Sequence, residues 1–215
     1  ATPQIPFDET EEIFACRLVA QRCLYGVDKN PVAVDLAKVS LWLFTLAREH
    51  PLTFIDHALR HGDSLVGLSR KQIEAFHWDE SAPAFQQGFE AMRVREHLEK
   101  VTALRRQIRE ASEEVTDREL REMWHDAQAE LAKVRLFGDL VLAAFFERET
   151  TKERTAKRNE HAKEVTDGFA ERHRERLEEW RDNHEPLVPF HWQAEFPEVF
   201  ERENAGFDAI VGNPP

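Results

Sequence analysis

Residues 69–185 form one long stretch of helical character, set between two segments that alternate short strands with helices, and this interruption narrows the folds open to the chain. Within it, Leu98, Val101, Leu104 and Ile108 recur at helical spacing. Leu120, Trp124, Ala127, Leu131 and Val134 form a second stripe that runs on into the apolar residues 140–146. Both stripes predict long amphipathic helices. Residues 147–182 carry 10 Lys/Arg and 11 Asp/Glu in alternating sign, the pattern of a solvated helix laced with i,i+4 pairs. Val165, Phe169, Leu177 and Trp180 give that helix a thin apolar seam.

The flanking segments read differently. Ile13, Cys16, Val19 and Ala20 predict a short helix over residues 10–22, and residues 23–27 a buried strand closed by Asp28. Asn30-Pro31 opens a second helix: Asn caps it, and Pro occupies the first turn, where its missing N–H costs nothing. Leu36, Val39, Leu43 and Leu46 give that helix one strongly apolar face, and Pro51 ends it. A short strand is expected between residues 51 and 61, with Gly62-Asp63-Ser64-Leu65 as the turn after it. The alternation resumes with the aromatic segment 190–200 and an apolar run at 207–211 that reads as a buried strand. The division predicted is an α/β core over residues 1–68, a helical insertion over 69–185, and a return to the core over 186–215.

Composition excludes several classes. No apolar run approaches the ~20 residues of a membrane span, and the N-terminus is polar and acidic, unlike a signal peptide. Cys16 and Cys23 are the sole cysteines, with no CxxC, and read as reduced core residues of a cytoplasmic protein. The net charge of −12 argues against these residues supplying the main grip on nucleic acid, which is dominated by cations on phosphates.

The last three residues, Asn213-Pro214-Pro215, follow the run 207–212. Each proline locks φ near −65° and offers no N–H, so such a loop is stiff and presents carbonyl oxygens, and Pro215 keeps Pro214 extended. An exocyclic amino group on a purine is a poor nucleophile because its lone pair is delocalised into the ring. Two acceptors around that nitrogen, the Asn213 side-chain oxygen and the Pro214 carbonyl, would draw it toward tetrahedral geometry. The same residues are also common in simple turns that close a strand.

Three blocks then stand in order. Tyr25-Gly26-Val27-Asp28-Lys29-Asn30-Pro31 resembles motif II of adenine-N6-specific DNA methyltransferases, Gly62-Asp63-Ser64-Leu65 their motif III, and Asn213-Pro214-Pro215 their motif IV. The segment His191-Trp192 through Phe196-Pro197-Glu198-Val199-Phe200, and a long helical insert between motifs III and IV, resemble the large restriction-modification and phage-exclusion enzymes of this class. The resemblance implies a partial Rossmann-like methyltransferase fold with an α-helical insertion, using S-adenosyl-L-methionine. It implies that Asp28 accepts hydrogen bonds from the cofactor's ribose, as an acidic residue at a strand's carboxyl end does in Rossmann-like folds. It further implies that Asp63 accepts from the cofactor's adenine amino group, with Leu65 a wall of that pocket. Asn213 and Pro214 would hold the target amine of a flipped base in double-stranded DNA. None of the eight glycines forms a GxG pair, so the glycine-rich cofactor loop of motif I is expected upstream of Ala1. The aromatic residue that follows Pro215 in the motif, and a recognition domain, are expected downstream. In this reading residues 1–215 alone neither bind cofactor nor methylate.

Other readings compete. A protein methyltransferase acting on a glutamine amide uses the same loop, but the long helical insert counts against it. A helical interaction module on a degenerate Rossmann remnant, without catalysis, would account for the missing motif I and the acidic middle. The string Gly62-Asp63-Ser64-Leu65 also occurs in serine esterases, with Asp182-Asn183-His184 as the partner, but no oxyanion-hole glycine block accompanies it. His57 and His61 stand four apart without a third metal ligand, so no metal site is assigned. Trp78, Trp124, Trp180 and Trp192 read as packing residues.

Overall fold

A computed structural model describes residues 5, 10–45, 55–82, 88–112, 115–166 and 187–212. Helix α1, Glu11–Arg22, starts where the Thr10 side chain accepts from the Ile13 N–H, with Glu11 and Glu12 in its first turn and Arg22 in its last, matching the helix dipole. Cys23 closes it, its N–H donating to the Val19 carbonyl. Strand β1 is therefore shorter and later than expected, Gly26–Asp28. The predicted cap of α2, Pro31–Phe44, is present: the Asn30 side chain accepts from the Val32 N–H and Pro31 opens the first turn.

Strand β2, Leu59–His61, lies parallel to β1, with Gly26 opposite Leu59 and Asp28 opposite His61. Helix α2 packs on both strands, giving one strand–helix–strand unit. Beyond β2 the Gly62 N–H donates to the Asp28 carbonyl, while the next one, from Asp63, donates to Val188 on the opposite side. Asp63 and Pro189 thus form a parallel bridge, and the chain returns along the edge of β2 that faces away from β1. Among the described residues the sheet has two strands, in a mixed but mostly helical α/β fold.

Helix α3, Arg70–Glu74, begins in a capping box of Ser69 and Gln72. It ends with Phe76 at φ 48°, where His77 N–H donates to Gln72 and Phe76 N–H to Ile73. That is the Schellman pattern with phenylalanine where glycine is usual. Burial of the Phe76 ring edge-on to Phe137 offsets the strain.

Helix α4, Gly88–Glu110, and helix α5, Asp117–Phe146, pack along each other, and α6, Thr151–Thr166, packs on α5. Leu98, Val101 and Ile108 of α4 are buried, as are Ala127, Leu131 and Val134 of α5, so the predicted stripes are the core seams. Leu104, Leu120 and Trp124 sit half-buried at their margins. A capping box of Thr116 and Glu119 starts α5. Of the seam in the charged stretch, Val165 is buried in the same core, whereas Phe169, Leu177 and Trp180 lie outside the described residues.

Several expectations are corrected. The aromatic segment 190–200 forms α7, Trp192–Glu195, and α8, Pro197–Phe200. The run 207–211 is not a buried strand, for Ile210 is 82% and Val211 97% exposed in irregular chain. A strand requires a ladder partner, and no described strand lies beside this run. Instead Gly206, at φ 108°, turns the chain, and Arg202 binds both the Gly206 carbonyl and the Asp208 carboxylate. Cys16 is half-buried and Cys23 exposed, both free, so neither is a core residue. The apolar face of α2 is uncovered, with Leu36, Val39 and Leu43 exposed and Leu46 outside the described residues. His57 lies in the turn before β2, and His61 ends β2. Among the described residues no helix is long and apolar enough to cross a membrane.

Candidate functional site

The parallel register brings the carboxyl ends of β1 and β2 together, and with them two of the acidic residues singled out in the sequence. Asp28 ends β1 and is exposed; its Oδ1 accepts from the Asn30 N–H at 2.7 Å. Asp63 follows β2, and its Oδ1 accepts from the Leu65 N–H at 3.0 Å. These are side-chain turns that fix each carboxylate relative to its own backbone. Lys29 reaches across, its ammonium 3.9 Å from Asp63 Oδ2, and the His61 ring meets the Lys29 carbonyl at 3.1 Å. Leu65 stands beside Asp63 at 75% exposure. Asn213, Pro214 and Pro215 lie outside the described residues, which run to the exposed Gly212.

Behind this edge sits an aromatic cluster. Phe207 meets Tyr25 at 5.6 Å, Trp192 at 5.5 Å and Phe200 at 5.8 Å between ring centroids, mostly edge-on. Tyr25 also packs on Phe196 at 4.9 Å. Such pairs favour edge-to-face geometry, which orients as well as buries the rings. Trp192 donates its indole N–H to the Ser64 carbonyl at 2.9 Å, tying the turn after β2 to the cluster. Burial, with Glu198 nearby, pushes the Tyr25 hydroxyl up to about 12, so it stays neutral.

Beneath the cluster lies a buried ionic network that sequence reasoning missed. Arg105 of α4 grips Glu198 of α8 with Nε and Nη2, at 2.7 and 2.6 Å, and Nη2 also donates to the His57 carbonyl. Arg135 of α5 grips Glu195 of α7 in the same way, with Arg60 of β2 at 3.5 Å from the same carboxylate. Burial alone would raise Glu195, yet Arg135 and Arg60 hold it down to about 2. Burial, helped by Arg105, lowers His57 to about 4. The guanidinium groups of Arg60 and Arg105 lie over the Trp124 ring, and Arg105 over Phe196. Trp124 and Trp192 are thus packing residues, as is Trp78 against Phe145; Trp180 and Asp182-Asn183-His184 are outside the described residues. Among the described residues no group of three or more His, Cys, Asp or Glu side chains could hold a metal ion.

Lys29 was legible as a neighbour of Asp28. Trp192 and Arg105 were not, since their partners are more than a hundred or about ninety residues away along the chain.

The described residues thus define an α/β protein with a parallel strand–helix–strand unit and acidic residues at its carboxyl edge. The sequence model of the Eco57I restriction-modification methylase family matches residues 22–215, and the chain belongs to that family. A Methanocaldococcus jannaschii protein named as a type II restriction enzyme and methyltransferase is 28% identical over 226 residues. The match takes in 89% of this chain and 18% of that relative, so the chain spans less than a fifth of the relative's length. No solved structure matches the chain.

Proposed function

We propose that these residues form the donor-holding edge and the target-amine loop of a site-specific DNA methyltransferase acting on the N6 amino group of adenine. The supporting observation is that Asp28 ends β1 while Asp63 lies two residues beyond the end of β2, its parallel neighbour. In this reading residues 1–68 and 186–215 build the methyltransferase core and 69–185 are an insertion into it.

The residues at the edge suit S-adenosylmethionine. Carboxylates at the carboxyl ends of parallel strands accept hydrogen bonds from ribose hydroxyls and an adenine amino group. Asp28 is open to solvent and Leu65 offers an exposed apolar side chain beside Asp63. When bound, that group supplies an electrophilic methyl carbon on a sulfonium. Asn213 and Pro214 accept hydrogen bonds from the target amine and direct its lone pair toward that carbon. Bound there, S-adenosylmethionine would supply the methyl group and leave as the neutral thioether, and the amine would give up one proton. Anchored through Phe207 to the aromatic cluster, the six residues that follow to Asn213 span at most about 22 Å. The family match and the restriction-modification relative support DNA as the substrate.

The test is Asn213→Ala in the intact protein, with methylation-sensitive sequencing of host DNA. Adenine methylation at the enzyme's site is expected to disappear; unchanged methylation overturns the proposal.

A further inference from the structure

Arg105 lies on α4, on the helical side of the molecule, yet its side chain is completely buried against the elements that carry the candidate site. Its fork holds both oxygens of Glu198, and the same guanidinium donates to the His57 carbonyl at 2.9 Å, in the turn that leads into β2. Glu198 sits in α8 between Phe196 and Phe200, and both rings pack on Phe207. Phe196 also packs on Tyr25, one residue before β1. One side chain therefore touches, directly or through one neighbour, the approaches to Asp28, to Asp63 and to Asn213.

A buried ion pair is a poor source of stability, because desolvation cancels most of the attraction and well-packed apolar residues do as well. A bidentate Arg–carboxylate pair does fix geometry, since two parallel hydrogen bonds set both distance and angle. We infer that Arg105 is a positioning residue for methyl transfer: through Glu198 and the His57 carbonyl it sets the spacing between the Asp28/Asp63 edge and the segment leading to Asn213. This rests on the reading of function above. It gives the helical insertion a role in the chemistry, for its removal would also remove the clamp.

The experiment uses the full-length methyltransferase with S-adenosylmethionine and duplex DNA containing its site. Arg105→Lys keeps the charge but loses the fork, and Phe207→Leu removes the aromatic seat. Each is expected to lower kcat about ten- to a hundredfold, the effect of a misplaced reacting group, while the KM for the donor stays within about twofold. Unchanged kcat in Arg105→Lys overturns the inference, as does a fall in kcat with a parallel rise in donor KM, which marks general loosening. If Arg105→Lys does not yield folded protein, Phe207→Leu decides by the same split. Asn213→Ala runs alongside. Activity retained there sinks the assigned chemistry, whereas activity lost there but intact in Arg105→Lys and Phe207→Leu sinks only the positioning role.

Discussion

His57 and Glu195 link the ionic network to pH. His57, lowered to about 4 in the folded chain, stays neutral where the unfolded chain takes up a proton. Its contribution is complete above about pH 6.5 and is lost as pH falls toward 4. Glu195, held down to about 2, contributes above its unfolded value and loses that contribution as pH falls from about 4.5 to 2. Both slopes have the same sign, and each integrates to roughly 3 kcal/mol. Urea unfolding followed by circular dichroism should therefore show stability declining from pH 6.5 downward and continuing to decline below 4.5. A flat profile between pH 6.5 and 3 would contradict the buried placement of these groups. The ionic partners themselves were invisible beforehand: nothing near Arg105 in the chain announces Glu198.

Helices behaved as their periodicity required where a facing helix exists. Leu98 is fully buried between α4 and α5, and Leu98→Ala should cost about 2–5 kcal/mol. The stripe on α2 is as regular, yet Leu36 is 62% exposed. In the 215-residue chain Leu36→Ser should change stability by less than about 0.5 kcal/mol. Paired thermal melts of the two variants check this, and equal losses would mean that the α2 face is covered. Local signals were equally readable: Asn30-Pro31 opened α2 as expected, because a cap needs only neighbours in sequence. The run at 207–211 misled because its apolar content specifies a face to bury but not a partner strand, and Ile210 and Val211 lie open.

The fold closes where the turn after β2 meets the returning chain. Asp63 and Val188, Val66 and Phe190, and Leu68 and His191 are joined by hydrogen bonds of 2.7, 2.7 and 3.0 Å. Leu68 donates to His191 Nδ1, so Nε2 carries the ring proton and donates to Asp139 of α5. Gly67 makes this crossing possible, since a Cβ there would lie 2.1 Å from the Phe190 carbonyl oxygen. Backbone cannot yield as a flexible side chain would. Gly67→Ala is expected to cost more than about 2 kcal/mol, read as a lowered urea midpoint; an unchanged midpoint would place the two segments further apart than described.

Caps, helical stripes and the two acidic turns could be read along the chain because each depends on residues a few positions apart, whose geometry backbone stereochemistry dictates. The placing of Asp28 and Asp63 at one edge of the sheet required the parallel register of β1 and β2. The Arg105–Glu198 and Arg135–Glu195 clamps and the seating of Phe207 required helices and core to pack first. The two clamps join residues 93 and 60 positions apart, Trp192 and Ser64 are 128 apart, and Phe207 reaches back to Tyr25 near the start of the chain. Only burial and packing, acting over the assembled core, select such partners among the many that the charges and rings of this chain would permit.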